Sequence, residues 1–188
     1  MTRLKFIDGL HSSFLIAGLL LTFFLFCAVS VSSAEPGHSY IGYQLGYEST
    51  QGDVTGSGLF AGIRAGYGFP APLSVTLRGG LGVSKTYELG VDAEYAFRQL
   101  GRFQPFVMAG YGVQAIKLNV TSDQDQVRLN GSGPDVGLGF DYFTHNRNSI
   151  GLGITERFIH YRKPADPRFR EGLDSRSTFV GARWNIYF

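Results

Sequence analysis

Side chains able to do chemistry are sparse in this 188-residue chain, and their spacing limits what they can do. The richest stretch is Glu156-Arg157-Phe158-Ile159-His160-Tyr161-Arg162. In it His160 is a candidate general base and Glu156 a carboxylate placed to orient the imidazole. Ser175 or Ser177 would supply a hydroxyl nucleophile from further along the chain. Such a set would suit nucleophilic catalysis. Metal chemistry has less to stand on, because His38, His145 and His160 are far apart and lack the paired spacing of zinc ligands. Gly110-Tyr-Gly112-Val-Gln-Ala115 fits a relaxed dinucleotide fingerprint. Gly80 to Thr86 resembles a phosphate loop, but Ser84 stands where its last glycine belongs. The dinucleotide motif needs a strand-to-helix turn, and the period-2 pattern runs straight through it. No metal or other cofactor is expected. A further set, Arg64, Arg78, Arg157 and Arg183 with Glu88, Asp92, Glu94, Asp135 and Asp141, has no catalytic spacing. Its meaning comes from the elements that carry it.

Those elements are strands. Ser177 to Phe188 reads S-T-F-V-G-A-R-W-N-I-Y-F. Successive strand side chains face opposite ways. Phe188, Ile186, Trp184, Ala182, Val180 and Thr178 therefore share a broad apolar face. Tyr187, Asn185, Arg183, Gly181, Phe179 and Ser177 share the other, which is mostly small or polar. Seven earlier segments alternate in the same sense: Tyr40–Tyr47, Leu59–Phe69, Leu73–Val83, Tyr87–Phe97, Phe106–Leu118, Asp135–Phe143 and Ser149–Tyr161. Apolar outside and polar inside is what a strand needs when its outer solvent is lipid. Parity puts all nine charged residues of the second set inside, where each charge needs a partner. A structural ion-pair network filling the lumen follows, with a narrow gated ion path as the other reading. Strict alternation sends Glu156 and His160 outward, and Glu156 is expected at the rim, where a charge on the lipid face costs less.

The connections alternate too. Pro70–Pro72, Arg98–Gln104 and Thr144–Asn148 are tight. Glu48–Gly58, Asn119–Pro134 and Arg162–Arg176 are long and polar, while Ser84–Thr86 is a short exception. An aromatic girdle is expected on the short-turn side from Tyr67, Phe69, Tyr95, Phe97, Phe106, Tyr142, Phe143 and Phe188. Eight strands with both termini on one side give an all-β, eight-stranded, antiparallel up-and-down transmembrane barrel. Its lumen is just wide enough for side chains to fill. The 26 glycines, many spaced by two within strands, leave room inside for larger neighbours.

Arg3 and Lys5 precede an apolar run that ends in Ser32-Ser33-Ala34. This reads as a cleavable signal peptide over residues 1–34, followed by a single barrel domain over 35–188. Cleavage there removes Cys27, the one cysteine, and leaves a mature chain of nearly balanced charge. Nothing in that balance points to nucleic acid.

The leader, the segment Pro105-Phe-Val-Met-Ala-Gly-Tyr-Gly-Val113 and the end Phe179-Val-Gly-Ala-Arg-Trp-Asn-Ile-Tyr-Phe188 together resemble the small outer-membrane β-barrel proteins of Gram-negative bacteria, the OmpA membrane domain, OmpX and opacity-type group. The resemblance covers essentially the whole mature chain as a pattern. It implies periplasmic chaperones and insertion by the barrel-assembly machinery, with Trp184, Ile186 and Phe188 as the assembly signal. It implies no single activity, since the scaffold hosts several; the reading is a monomer in contact with outer-membrane lipid and lipopolysaccharide, with a structural or surface-interaction role for the outer loops, because loops on a rigid scaffold carry function. Arg157-Phe-Ile-His160-Tyr161 is similar in place to the active strand of the PagL-type lipid A deacylases, which makes such an enzyme the alternative. In that family a serine follows the histidine by two positions; here Arg162 stands there.

Overall fold

A computed structural model describes residues 38–70, 72–82, 86–119, 126–145, 147–163 and 171–188. The expected leader lies outside them. Eight strands run in chain order: β1 His38–Gly52, β2 Gly56–Gly68, β3 Leu73–Gly82, β4 Thr86–Ala96, β5 Phe103–Asn119, β6 Gln126–His145, β7 Asn148–Tyr161 and β8 Leu173–Tyr187. Each pairs antiparallel with its neighbours, and β8 pairs with β1 to close the barrel. Closure satisfies every strand edge, the condition for a sheet in hydrocarbon.

The stagger of the barrel is legible in its register. From Tyr40, the path from partner to partner runs through Gly66, Thr76, Asp92, Gly110, Asp135, Arg157 and Ser177. It returns to β1 at Thr50, ten residues along. Every side chain on that path faces the lumen. A stagger of this kind tilts the strands by roughly 35–45° and brings residues distant in sequence to one level. Small residues permit the tight interior. A Cβ at Gly66, for example, would lie 2.5 Å from the Tyr40 hydroxyl.

The outer face is an apolar belt, with Ile41, Leu45, Ile63, Leu77, Leu89, Val113, Leu152 and Trp184 among its exposed members. Tyr67, Phe69, Phe103, Tyr142 and Phe188 mark one border of the belt; Tyr47, Tyr87, Tyr111 and Phe158 approach the other. Phe106 departs from the girdle expected of it. It is 3% exposed and lies in the lumen, because Val107 and Ala109 take the outward parity.

The strands also outrun the alternating segments. Much of what reads as long polar loops is strand: only Asp53–Thr55 joins β1 to β2, β6 begins at Gln126, and β8 takes in Leu173 to Arg176. Beyond the lipid the outer face meets water while the inner face stays buried, so the apolar-outside alternation fades while backbone pairing continues. The inner side of this extension is not polar. Val54, Ile116, Leu129, Ile159 and Tyr161 pack into a buried cluster, flanked by Val127 and Leu173.

Candidate functional site

The lumen holds the densest chemistry in the molecule, arranged in two tiers. Toward the tight turns, Arg183 makes two forks. Nε and Nη2 donate to Asp141 at 2.8 and 2.5 Å, and Nη1 and Nη2 donate to Glu94 at 2.6 and 2.9 Å. Its guanidinium carbon lies 3.6 Å from the centre of the Phe106 ring, which explains the inward place of that aromatic residue. Arg64 joins from β2, donating to Glu94 at 3.2 Å and to the Tyr40 hydroxyl at 3.1 Å. Tyr40 in turn shares a hydrogen bond with Thr76.

In the outer tier, Arg78 donates from Nε to both oxygens of Asp92, at 2.9 and 2.8 Å, and forms ion pairs with Glu88 and Asp135. Arg157 pairs with Glu88 and, at 3.2 Å, with Glu48. The Phe60 and Phe179 rings flank its guanidinium, each centred 5.7 Å away. Glu48 also accepts from Ser177 at 2.6 Å and from Gln114 at 3.4 Å. Tyr161 donates to Gln114 at 2.7 Å and links this tier to the apolar cluster above.

All nine inward charges read from parity are thus buried in the lumen, and the structure brings them together with a tenth, Glu48. Glu48 carries the same parity as Gly42, Gln44 and Gly46, so the signal was present, but the polar residues after it disguise the continuing strand. Among the described residues four buried guanidiniums meet six buried carboxylates, and the excess falls in the outer tier. The central cavity, lined by Arg64, Arg78, Arg157 and Arg183, measures about 40 Å³, room for a few waters and no more.

The outward chemistry is separate from this network. Glu156 follows strict alternation without a bulge and accepts from Arg176 at 2.9 Å and from Thr178. It therefore does not orient His160. That role falls to Asp174, whose Oδ1 lies 2.7 Å from His160 Nδ1 across the β7–β8 pair. Ser175 and Ser177 belong to the opposite face. Ser175 bonds to the backbone of Val54 and Ser177 to Glu48, both inside the barrel. No serine hydroxyl is among the hydrogen-bond partners of His160 in the described residues, so the candidate nucleophile and base are split between two faces of the sheet. No cluster of three potential metal ligands occurs among the described residues either. Trp184, Ile186 and Phe188 share the outward face of β8, and the Phe188 amide donates to Ser39 at 2.9 Å, tying the end of the chain to β1.

Residues 19–185 match the family described as outer membrane protein beta-barrel domain. The chain belongs to that family. It is thus a barrel of the Gram-negative outer membrane, with its greasy belt in lipid and its charges sealed within. No curated protein matches it in sequence. Among solved structures it is similar to Neisserial surface protein A (NspA), at 16% identity and a TM-score of 0.65, over 80% of this chain and 97% of that one. It is also similar to the N-terminal β-barrel domain of Pseudomonas aeruginosa OprF, at 19% identity and a TM-score of 0.53, over 80% and 99%. Ail, the attachment invasion locus protein of Yersinia pestis, matches at 13% identity and a TM-score of 0.50, over 80% and 99%. At these identities the likeness is one of fold.

Proposed function

We propose that this barrel is a plugged scaffold that works at its outer surface, in a structural or surface-interaction role, and neither conducts nor catalyses. The observation that carries the reading is the double closure of the lumen. Two tiers of interlocked arginines and carboxylates fill the membrane level, and the Val54, Ile116, Leu129, Ile159 and Tyr161 cluster caps the outer mouth. An ion would have to part several buried pairs and then pass the apolar cluster at the mouth, where the open space beside it is only about 40 Å³. The names of the similar proteins, a surface protein and an attachment protein, agree with work at the outer surface. The same reading includes a monomer, delivered by periplasmic chaperones to the barrel-assembly machinery and embedded among outer-membrane lipid and lipopolysaccharide. Purified protein in planar bilayers tests the plug: silence across many insertions is expected, and reproducible unitary steps would refute it.

One observation favours a second reading, hydrolysis of lipid A acyl esters: the His160–Asp174 pair is oriented as in a base-and-orienter couple. Against it, Arg162 occupies the place of the serine two residues on, and Ser175 and Ser177 face the lumen. Mass spectrometry of lipid A from overexpressing cells separates the two. Unchanged acylation is expected, and loss of an acyl chain that disappears in His160→Ala would install the enzyme reading.

A further inference from the structure

The outer surface is not uniform above the aromatic border. On β5 and β6, Lys117 and Arg128 are register partners, and both side chains are exposed on the outward face. Like charges directly opposite each other in a sheet are destabilising. Just after β7, the Arg162 amide donates to the Asn130 carbonyl at 3.0 Å, which sets Arg162 diagonally beside Arg128. Three cations thus adjoin on one wall, and among the described residues none of them has an ion-pair or hydrogen-bond partner for its side chain. Of the acids on the outward faces of β7 and β8, Asp174 is paired with His160 and Glu156 with Arg176 and Thr178. The wall made by β1 and β2 shows only Ser49, Gln51 and Ser57 at outward positions past its apolar run.

Height matters as much as charge. Phe158 is exposed at the aromatic border of β7, and Arg162 is four residues further out. At ~3.3 Å per residue and a strand tilt near 40°, that is roughly 10 Å along the barrel axis. It is the level of lipid headgroups rather than of acyl chains. Lys117 and Arg128 take the outward parity of their strands and Arg162 directly follows β7, so the three sit on the wall rather than at a loop tip; Lys117 also borders the small pocket at the outer mouth.

We infer that Lys117, Arg128 and Arg162 form a docking stripe for the phosphate groups of outer-leaflet lipopolysaccharide, which would supply the anion that the like-charged Lys117–Arg128 pair lacks. The inference rests on the outer-membrane placement and adds a lipid partner and a preferred wall. The test uses the folded barrel in neutral detergent with fluorescent bisphosphorylated lipid A as probe, and dephosphorylated lipid A beside it. Wild-type protein should bind the phosphorylated probe, and binding should weaken steeply with salt. Replacing Lys117, Arg128 and Arg162 by Gln together should lower affinity by about two orders of magnitude, at roughly fivefold per cation. Arg98→Gln with Arg102→Gln, at the other end of the barrel, should leave it unchanged. Heat-modifiable migration reports folding. If the triple variant does not fold, Arg128→Gln with Arg162→Gln is used, for which a loss of about 25-fold is expected. Undiminished affinity in a folded variant, or equal binding of the dephosphorylated probe, overturns the stripe. Because the plug is read by conductance, failure of the stripe and failure of the plugged-scaffold reading are distinguishable.

Discussion

Replacing Arg183 by Met tests the physical claim at the base of the lumen. Arg183 supplies every charged contact of Asp141 given by the structure, at 2.8 and 2.5 Å, whereas Glu94 also has Arg64 at 3.2 Å. The variant therefore strands one buried carboxylate and leaves the other paired. Breaking a buried ion pair from one side costs about 3–5 kcal/mol, because the abandoned charge stays desolvated. Arg183→Lys keeps the charge but loses the planar forks, with an expected cost of about 1.5–3 kcal/mol. If the penalty comes from the stranded charge rather than from lost packing, Arg183→Met with Asp141→Leu should recover most of the loss, since the inner tier is then neutral again. The assay is close at hand. Trp184 is the one tryptophan of the chain and faces lipid from β8, so its emission reports insertion and unfolding. Urea titration of barrels refolded into liposomes gives the stability differences directly. A cost below about 1 kcal/mol for the single variant, or a double variant no more stable than the single one, would refute the argument.

Two other predictions are simpler. A Cβ at Gly110 would meet Asp135 Oδ1 and the Val91 carbonyl at 2.6 Å and would press on Asp92, so Gly110→Val should destabilise by about 1–3 kcal/mol or block folding. Gly56→Ala, with open space around its Cβ, should fold and melt as wild type, and equal behaviour of the two would contradict the crowded lumen. Deleting Phe188, which is exposed at the end of β8, should leave export intact and impair membrane insertion; cell fractionation reads both, and normal assembly would remove the terminal residue from the assembly signal.

Much of the site is legible in the amino-acid sequence because strand parity is a local property. Arg64, Arg78, Asp92, Asp135 and Arg183 face inward for the same reason that Ile63, Leu77, Val91, Val136 and Trp184 face outward: successive residues point opposite ways, and lipid rejects the charged set. The same rule placed His160 and Glu156 outside. It is harder to read at Glu48 and in the outer half of β6, where polar residues such as Ser49 and Arg128 take the outward positions and apolar Val127 and Leu129 the inward ones, so the contrast on which the pattern depends is lost.

What parity leaves undetermined is partnership. Glu48 meets Arg157, Glu94 meets Arg183, and Asp174 rather than Glu156 meets His160, although only the last of these pairs is close in sequence. The first two choices depend on the ten-residue stagger with which β8 closes on β1, and the third on the register of the adjacent β7–β8 pair. The stagger is a property of the closed sheet as a whole and has no signature in any single strand. The apolar cap is likewise a product of the assembled sheet: Ile116 and Leu129 are register partners on β5 and β6, Ile159 adds from β7, and Val54 joins them from the β1–β2 connection. The chain alone thus determined which face each residue would take, because two solvents of opposite polarity select it residue by residue. Only the closed barrel decided which charges neutralise one another, because stagger sets the levels at which distant strands meet.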